Sequence, residues 1–210
     1  MIPREVSLSE KKTSFQLSEL QKAVLVGTLL GDANLRYRGK WCRLHIKHAA
    51  SQLPLVCYKR EVFEDITSMR VREFSQRVGI RDYTFAEFVT LTHPIFSLYY
   101  ELFYKEGKKV IPHNIDDLLV DPRGLAVWLM DDGSAEYAGA SLQTHGFSLA
   151  DVIRLMKAIQ GNFGIKVQKR RNKGKWIIYF PKSSMEKLKL TVQKYVLPEF
   201  RYKLLPYSLR

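Results

Sequence analysis

Two apolar segments that each carry an aspartate at the end recur one hundred positions apart, and this repeat constrains the fold more than any other feature. The first reads LQKAVLVGTLLG and is followed by Asp32, and the second reads GLAVWLMDDG and contains Asp132. A run of this length and apolarity is typical of a buried helix of about three turns. We therefore predict two similar helices that place Asp32 and Asp132 at matching positions.

The residues before both segments are typical of helix N-termini and support the prediction of two helices. Ser18 and Gln21 have the spacing of a capping box, and Asp121 followed by Pro122 is a typical N-cap with proline at the first helical position. The first helix is predicted to end at Gly31.

Small residues recur along one face of the first helix. Ala23, Gly27 and Gly31 are spaced every four residues, which would allow another backbone to approach closely. The second helix has Gly124 but Val127 where the repeat would place glycine, so close packing is less secure on that side.

The segments after each motif helix also match, and their patterns predict the order αββαββα twice. The first half has strands in RLHIKH, SMRVREF and YTFAEFVTL with helices over 53–66 and 94–105, and the second has strands in SLQTHGF, IKVQKRR and KWIIYF with helices over 148–162 and after Pro181. We predict an α+β protein with an N-terminal half over 1–105, a connector over 106–121 and a C-terminal half over 122–210.

The charge balance points to a polyanionic partner. The formal net charge is +13 over 210 residues, and nucleic acid is the commonest polyanion that such a surface attracts.

Cys42 and Cys57 are the two cysteines and have no disulfide or zinc-site spacing. The chain lacks a signal-like start and a run long enough to span a membrane, so we expect an intracellular protein, in a prokaryotic cytoplasm or an organelle matrix or stroma.

The two helix ends predict a site for cations. A helix C-terminus is the negative pole of its dipole, so a carboxylate there is destabilised unless a cation lies nearby. Hard divalent cations such as Mg²⁺ bind carboxylate and carbonyl oxygens and keep waters that phosphate oxygens can replace. Taken singly, a Gly-Asp or Asp-Gly step is usually a turn, and it is the repetition that favours the functional reading.

The two motifs resemble those of the LAGLIDADG homing endonucleases, in particular the monomeric members with two motifs in one chain. The first motif is LVGTLLGDA, the second is LAVWLMDDG, and both keep the acidic residue at the eighth position. KKVIP before the second motif, SLQTHGFS after it and VLPEFRYKLL near the end resemble corresponding segments of intron-encoded meganucleases. The sixth motif position, acidic in the family's name, is Leu30 and Met130 here.

The resemblance implies a role for each matching residue. Asp32 and Asp132 would bind the metals, and Gly31 and Asp131 would offer backbone carbonyls. Lys109 and Lys203 match a lysine found in each active site of the family, and Gln143 matches a polar residue that helps to order the nucleophilic water. The first-half counterpart of Gln143 is open, because Lys47 and His48 both fit.

The resemblance also implies the reaction and its partners. The motif helices would lie at the interface of two pseudo-symmetric halves, whose antiparallel sheets would form a saddle on double-stranded DNA. A monomer would then cut one phosphodiester per strand across the minor groove of a long, weakly symmetric site and leave short 3′ overhangs. Mg²⁺ is the expected cofactor, with Mn²⁺ as a substitute, and two or three ions are compatible with the motifs.

Basic residues on or beside the proposed strands are candidates for DNA contact, although a charged hairpin tip is often only a solvated surface. The candidates are Arg36, Arg38, Lys40, Arg43, Lys47, Arg70, Arg72, Arg81, Lys166, Lys169, Arg170, Arg171, Lys173 and Lys175.

Two other functions are compatible with the same fold. One is an intron maturase that binds intron RNA, which the sequence leaves open. The other is a regulator that binds DNA without cutting it, and the presence of both Asp32 and Asp132 argues against it. The five histidines have no metal-like spacing and are expected on strand surfaces or in the core.

Overall fold

The computed structural model describes residues 15–207, in which helices and antiparallel strands alternate twice in the same order. The first set comprises α1 (Glu19–Leu30), β1 (Asn34–Arg38), β2 (Trp41–Ala49), α2 (Leu53–Val62), β3 (Arg72–Val78), β4 (Arg81–Val89) and α3 (Pro94–Phe103). A small hairpin of β5 (Tyr104–Lys105) and β6 (Lys108–Lys109) and the short helix α4 (Ile115–Leu118) follow. The second set comprises α5 (Pro122–Asp132), β7 (Gly133–Ala135), β8 (Ala140–Leu142), α6 (Leu149–Phe163), β9 (Gln168–Asn172), β10 (Lys175–Phe180) and α7 (Lys182–Val192).

The predicted order αββαββα is therefore confirmed in both halves. The segment that we interpret as the connector contains the β5–β6 hairpin in part and α4. The domain boundaries remain an interpretation, and residues 1–14 and 208–210, on which the reading of the N-terminal segment partly depends, lie outside the described residues.

The starts of the two motif helices follow the sequence signals. At α1, the Ser18 hydroxyl accepts a hydrogen bond from the Gln21 N–H at 3.2 Å, and the Gln21 side chain accepts one from the Ser18 N–H at 2.9 Å. At α5, the Asp121 carboxylate accepts from the Arg123 N–H at 2.8 Å, and Pro122 occupies the first turn. These contacts satisfy amide groups that have no partner inside a helix, and so fix where each helix begins.

Each half contains one four-stranded antiparallel sheet with the same strand order. The first sheet has the order β1-β2-β4-β3, and the second has the order β7-β8-β10-β9. Alternate residues of each strand point to opposite faces, so one face of each sheet packs on helices while the other stays open. In β2, for example, Leu44 and Ile46 are fully buried whereas Arg43 and Lys47 are partly exposed.

The two motif helices lie in the middle of a core that both halves share. Val24, Leu25 and Leu29 of α1 and Leu125 and Trp128 of α5 have at most 1% of their surface exposed, and they belong to one apolar cluster with both sheets. A helix that is buried on nearly every side needs an apolar sequence all round, which is what the two motifs supply.

Two strands begin later than their sequence patterns predict. The strand expected from Ser68 begins at Arg72, and the one expected from Ile165 begins at Gln168. Side chains bind carbonyls of both segments ahead of the strands: Arg60 donates to the Met69 carbonyl at 3.4 Å, and Ser184 donates to the Lys166 carbonyl at 2.7 Å. No helix within residues 15–207 is long and apolar enough to cross a lipid bilayer.

Candidate active site

The motif helices α1 and α5 approach each other through glycine. A Cβ atom added at Gly27 would lie 2.3 Å from the carbonyl oxygen of Gly124, and one added at Gly124 would lie 3.0 Å from the carbonyl oxygen of Ala23. These distances leave no room for a larger side chain at Gly27. The structure thus confirms that the small residues of α1 admit a neighbouring backbone, and it shows that Val127 does not prevent the approach.

This close approach brings the two motif ends together. Asp32 follows the C-cap residue of α1, and its side chain is 44% exposed. Asp132 is the last residue of α5, is partly buried, and its carbonyl accepts a hydrogen bond from the Gln143 N–H at 3.0 Å. The Asp32 N–H donates to Asp131 Oδ2 at 3.4 Å, so the two motif ends are in direct contact.

Lys109 and Lys203 occupy equivalent places at the two helix ends. Lys109 Nζ donates to the carbonyls of Gly31 at 2.9 Å and Ala33 at 2.8 Å. Lys203 Nζ donates to the carbonyls of Met130 and, at 3.3 Å, Asp131. Cations at these positions complement the helix dipoles. Desolvation lowers the pKa of both lysines, although the nearby aspartates act in the opposite direction.

The two motif aspartates differ in their electrostatics. Burial acts to raise the pKa of Asp32, but the contact with His48 and the positive charges of Lys59 and Lys109 outweigh it and hold that pKa below its ordinary value. Burial and the charges of Asp32 and Asp131 raise the pKa of Asp132 to about 7, although the two active-site lysines act to lower it. The neighbours of Asp32 therefore outweigh the effect of its burial on the pKa, whereas the two lysines near Asp132 do not.

Lys47 corresponds to Gln143 by strand pairing, whereas His48 is the residue that contacts the motif aspartate of the first half. Continuing the pairing of β7 with β8 places Gln143 opposite Asp132, and continuing that of β1 with β2 places Lys47 opposite Asp32. Lys47 Nζ, however, donates to Gln76 at 2.7 Å and lies 3.9 Å from the centre of the Phe85 ring. His48 is the residue that approaches Asp32, with its Nδ1 atom 3.2 Å from Oδ2.

Asp131 forms a buried polar cluster across the helix interface. Its Oδ1 atom accepts from Lys59 Nζ at 2.5 Å, and its Oδ2 atom accepts from the Thr28 hydroxyl at 3.0 Å. A Cβ atom at Gly31 would lie 2.5 Å from the Asp131 Cβ, so glycine in the first motif makes room for aspartate in the second. Asp131 is thus a structural partner of the first half in addition to its expected carbonyl role.

Lys59 is the site residue that sequence reasoning missed. It lies on α2 among Leu55 and Val56, and all three are fully buried. A lysine three and four positions after two buried apolar residues shares their helix face, so the spacing itself was the available signal. Lysine is rarely fully buried without a partner, and Asp131 supplies that partner.

Most of the basic candidates of the first half share one face of the first sheet. The pairing places Arg36 opposite Arg43, and both Lys47 and Arg72 opposite Glu87, on the side away from core residues Leu44 and Ile46. We call this open side the first groove face. It carries Arg36, Arg38, Arg43, Lys47, Arg72 and Arg81, while Lys40 lies in the β1–β2 turn and Arg70 precedes β3.

The basic candidates of the second half divide between two faces. Arg170 and Lys175 lie on the open side, and the Arg170 guanidinium is 3.2 Å from the centre of the Tyr179 ring. Lys169 and Arg171 point to the opposite side, where they flank the Trp176 ring at 5.7 and 4.6 Å. Lys166 precedes β9 and Lys173 lies in the β9–β10 turn. The DNA-contact role of all these residues stays a prediction.

The geometry defines a class of protein: two pseudo-symmetric α+β halves that share one acidic site where their central helices meet. The family model described as the LAGLIDADG DNA endonuclease family matches residues 22–188. The chain belongs to this family.

Individual relatives agree with this assignment. An intron-encoded endonuclease, ai4, of Dictyostelium discoideum is 38% identical over 127 residues, which are 60% of this chain and 80% of that protein. A cytochrome b mRNA maturase, bI2, of Debaryomyces hansenii is 29% identical over 191 residues, covering 86% of this chain and 72% of that protein. The solved structure of the homing endonuclease I-WcaI bound to its DNA recognition sequence shares the fold, with a TM-score of 0.86 at 24% identity over 98% of this chain and 95% of that one.

Proposed function

We propose that this protein is a site-specific endonuclease that cuts both strands of a DNA duplex. It hydrolyses one phosphodiester per strand across the minor groove, leaves short 3′ overhangs and acts as a monomer. The observation that carries this proposal is the pair of motif carboxylates, Asp32 and Asp132, at adjoining helix ends between two sheets that present basic residues. One chain then provides an acidic group for each strand.

The residues at the helix ends fit a divalent cation, and we propose Mg²⁺, with Mn²⁺ as a substitute. Carboxylate oxygens are the ligands that these hard cations prefer. The pKa of Asp132, raised to about 7 by burial and by two neighbouring aspartates, reflects negative charge that a cation would neutralise. Asp32, His48 and Asp131 place one potential ligand atom each within 4.8 Å of one another, but Thr28 and Lys59 already contact Asp131 and His48, so Asp32 is the member of this group left for a cation. A bound cation would polarise the phosphate and lower the pKa of a water molecule.

The remaining site residues have roles that follow from their positions. Lys109 and Lys203 bring one positive charge to each helix end, where it can stabilise the charge that develops on the phosphate in the transition state. Gln143 has a buried Oε1 atom with no hydrogen-bond partner among the described residues. Such an acceptor can hold a water molecule and orient it for attack.

The carbonyls of Gly31 and Asp131 can assist a cation only through their second lone pair. Each already accepts a hydrogen bond from an active-site lysine, and a carbonyl oxygen has two lone pairs. We propose that the lysines keep these carbonyls oriented while the free lone pairs face the cation.

The groove faces of the two sheets are the proposed DNA interface. Antiparallel strands fit the major groove, where their alternate side chains can reach base edges and phosphates. The cation–π contacts of Lys47, Arg72 and Arg170 with neighbouring rings limit the orientations that these long side chains sample. Fewer orientations reduce the entropy that is lost when a phosphate or base is bound.

The experiment that tests this function is selection of cleaved sites from a randomised duplex library with Mg²⁺ present, followed by sequencing of both cut ends. We expect one long, weakly symmetric site with staggered 3′ ends. The same protein with Asp32→Asn and Asp132→Asn together is the control. Binding to a unique duplex without any cut by the unmodified chain would contradict the proposal.

Maturase activity is a second candidate, because one of the relatives is named as an mRNA maturase. Such a protein would bind intron RNA and assist splicing. The doubly substituted Asp32→Asn, Asp132→Asn protein separates the two functions: splicing of the surrounding transcript that this protein still supports would establish RNA assistance independent of cleavage.

A further inference from the structure

Beneath Asp32 lies a chain of buried polar groups that the proposed function does not use. Lys59 Nζ contacts three acceptors: Asp131 Oδ1 at 2.5 Å, Thr28 Oγ1 at 2.9 Å and His48 Nε2 at 3.1 Å. Lys59 and His48 have 0% and 1% of their side chains exposed. Water therefore does not compete for these contacts.

The contact with Lys59 determines which nitrogen of His48 carries a proton. An ammonium group has three hydrogens to donate and no lone pair. The three acceptors around Lys59 use all three hydrogens, so His48 Nε2 must act as an acceptor. In a neutral imidazole the proton then lies on Nδ1.

The protonated Nδ1 atom faces the Asp32 carboxylate. It is buried and lies 3.2 Å from Oδ2 without the alignment of a hydrogen bond, so a small rotation of the Asp32 carboxylate would supply the partner that Nδ1 lacks among the described residues. An Nδ1–H group attracts one carboxylate oxygen and leaves the other for a cation. The same arrangement argues against His48 as a metal ligand, because Nδ1 has no free lone pair while Nε2 accepts from Lys59.

We propose that Lys59 and His48 are positioning residues of the first active site: Lys59 fixes the tautomer of His48, and His48 in turn orients the Asp32 carboxylate for cation binding. This inference rests on the proposed function. It resembles the general arrangement in which a hydrogen bond from outside a metal site sets the orientation of a metal-binding carboxylate.

Within residues 15–207, the second active site has no corresponding relay. Thr144, which follows Gln143 as His48 follows Lys47, donates its hydroxyl to the carbonyl of Trp176 at 2.8 Å. Helix α6 presents only apolar residues on its buried face, namely Val152, Leu155, Ala158 and Ile159. The effect of the relay should therefore be confined to the strand that the Asp32 site cuts.

The tautomer can be measured without DNA or metal, by NMR of protein labelled with ¹⁵N in its histidine rings. The His48 signals are assigned by their loss in His48→Asn. We expect His48 in the Nδ1–H form in the unmodified protein and a change toward the Nε2–H form in Lys59→Met. An Nε2–H form in the unmodified protein would overturn the proposal, since that nitrogen could not accept from Lys59.

The effect on cleavage is measured on the selected duplex with each strand labelled separately, across a range of Mg²⁺ concentrations. His48→Leu should slow one strand by roughly 10- to 100-fold and raise the Mg²⁺ concentration needed for half-maximal cutting of that strand. His48→Asn is the matched control, because its amide N–H lies near the position of Nδ1 and should largely restore cutting. Thermal unfolding of both variants verifies that they are folded.

A double-mutant cycle tests whether Lys59 acts through His48. Lys59→Met also leaves Asp131 unpaired, so it is assayed below its measured unfolding transition; there it should slow the same strand in the native background and have little further effect in the His48→Asn background, where no tautomer needs to be fixed. Equal slowing of both strands by His48→Leu, or no slowing, would overturn the inference while leaving the endonuclease function intact. Absence of any cut by the unmodified protein would instead refute the proposed function, and the NMR result would still stand.

Discussion

The two halves share their fold but shift the pKa of their motif aspartates in opposite directions. In the first half, Asp32 is surrounded by His48, Lys59 and Lys109, which hold its pKa below the ordinary value despite its burial. In the second half, burial and two aspartates raise the pKa of Asp132 to about 7. The two copies of the motif thus have different electrostatic environments, because His48 and Lys59 lie beneath Asp32, while Asp131 stands before Asp132 where the first motif has Gly31.

The largest expected effect removes a motif carboxylate. Asp32→Asn or Asp132→Asn should reduce double-strand cleavage with Mg²⁺ by about 1,000-fold or more, since each carboxylate is a proposed cation ligand. Binding to the selected site should change little, because the basic residues lie elsewhere. Labelled-strand cleavage and a gel-shift titration measure the two quantities, and rapid cutting of both strands by either variant would refute the assignment of these aspartates.

The next effect concerns the buried ion pair that joins Lys59 of the first half to Asp131 of the second. Lys59→Met should lower the free energy of unfolding by roughly 3–5 kcal/mol, because it leaves the fully buried Asp131 carboxylate without its counter-charge. The double variant Lys59→Met with Asp131→Asn should recover much of this loss. Denaturant unfolding of the three proteins measures it, and an unchanged midpoint for the single variant would mean that the pair is not a net contributor.

The raised pKa of Asp132 predicts a pH dependence of cation binding. The native carboxyl keeps its proton up to about pH 7, whereas an ordinary aspartate loses it near 3.8. A cation must displace that proton, so affinity at this site should rise by up to about tenfold per pH unit below 7 and level off above it. Mn²⁺ titrations at several pH values measure this slope.

The same shift has a consequence for stability in the absence of metal. The native state holds a proton that the unfolded state has lost between about pH 4 and 7, so the contribution of Asp132 to stability falls as the pH rises through that window. Asp132→Asn should remove this fall. Asp32, whose pKa is lowered, provides the internal comparison, because its contribution is instead lost as the pH falls.

The sequence predicted the features that are local or repeated. The capping box of Ser18 and Gln21, the proline start after Asp121 and the apolar period of both motif helices depend on neighbours within one turn, and all three are confirmed. The glycine at position 27 could be interpreted because a small residue every four positions indicates close helix packing. These signals are readable from a single chain because each depends on short-range geometry.

The parts that could not be predicted depend on contacts between distant segments. Lys59 and Asp131 are 72 positions apart, and the local sequence around either residue does not predict its contact with the other. The division of Lys169 and Arg171 from Arg170 depends on the register of β9 against β10, where a shift of one residue would exchange the two faces.

The register of β9 against β10 also predicts how arginine substitutions on the two sheets change the salt dependence of DNA binding, which is the smallest expected effect. Arg43→Ala on the first groove face should reduce the slope of log affinity against log salt by about one unit if Arg43 neutralises one phosphate. Arg171→Ala should change the slope less, because Arg171 lies beside Trp176 on the opposite side of its sheet from Arg170. Arg170→Ala is the matched control within the same strand and should resemble Arg43→Ala. Equal effects of Arg170→Ala and Arg171→Ala would mean that the DNA contacts both sides of this hairpin, and that the open faces of the two sheets are not used in the same way.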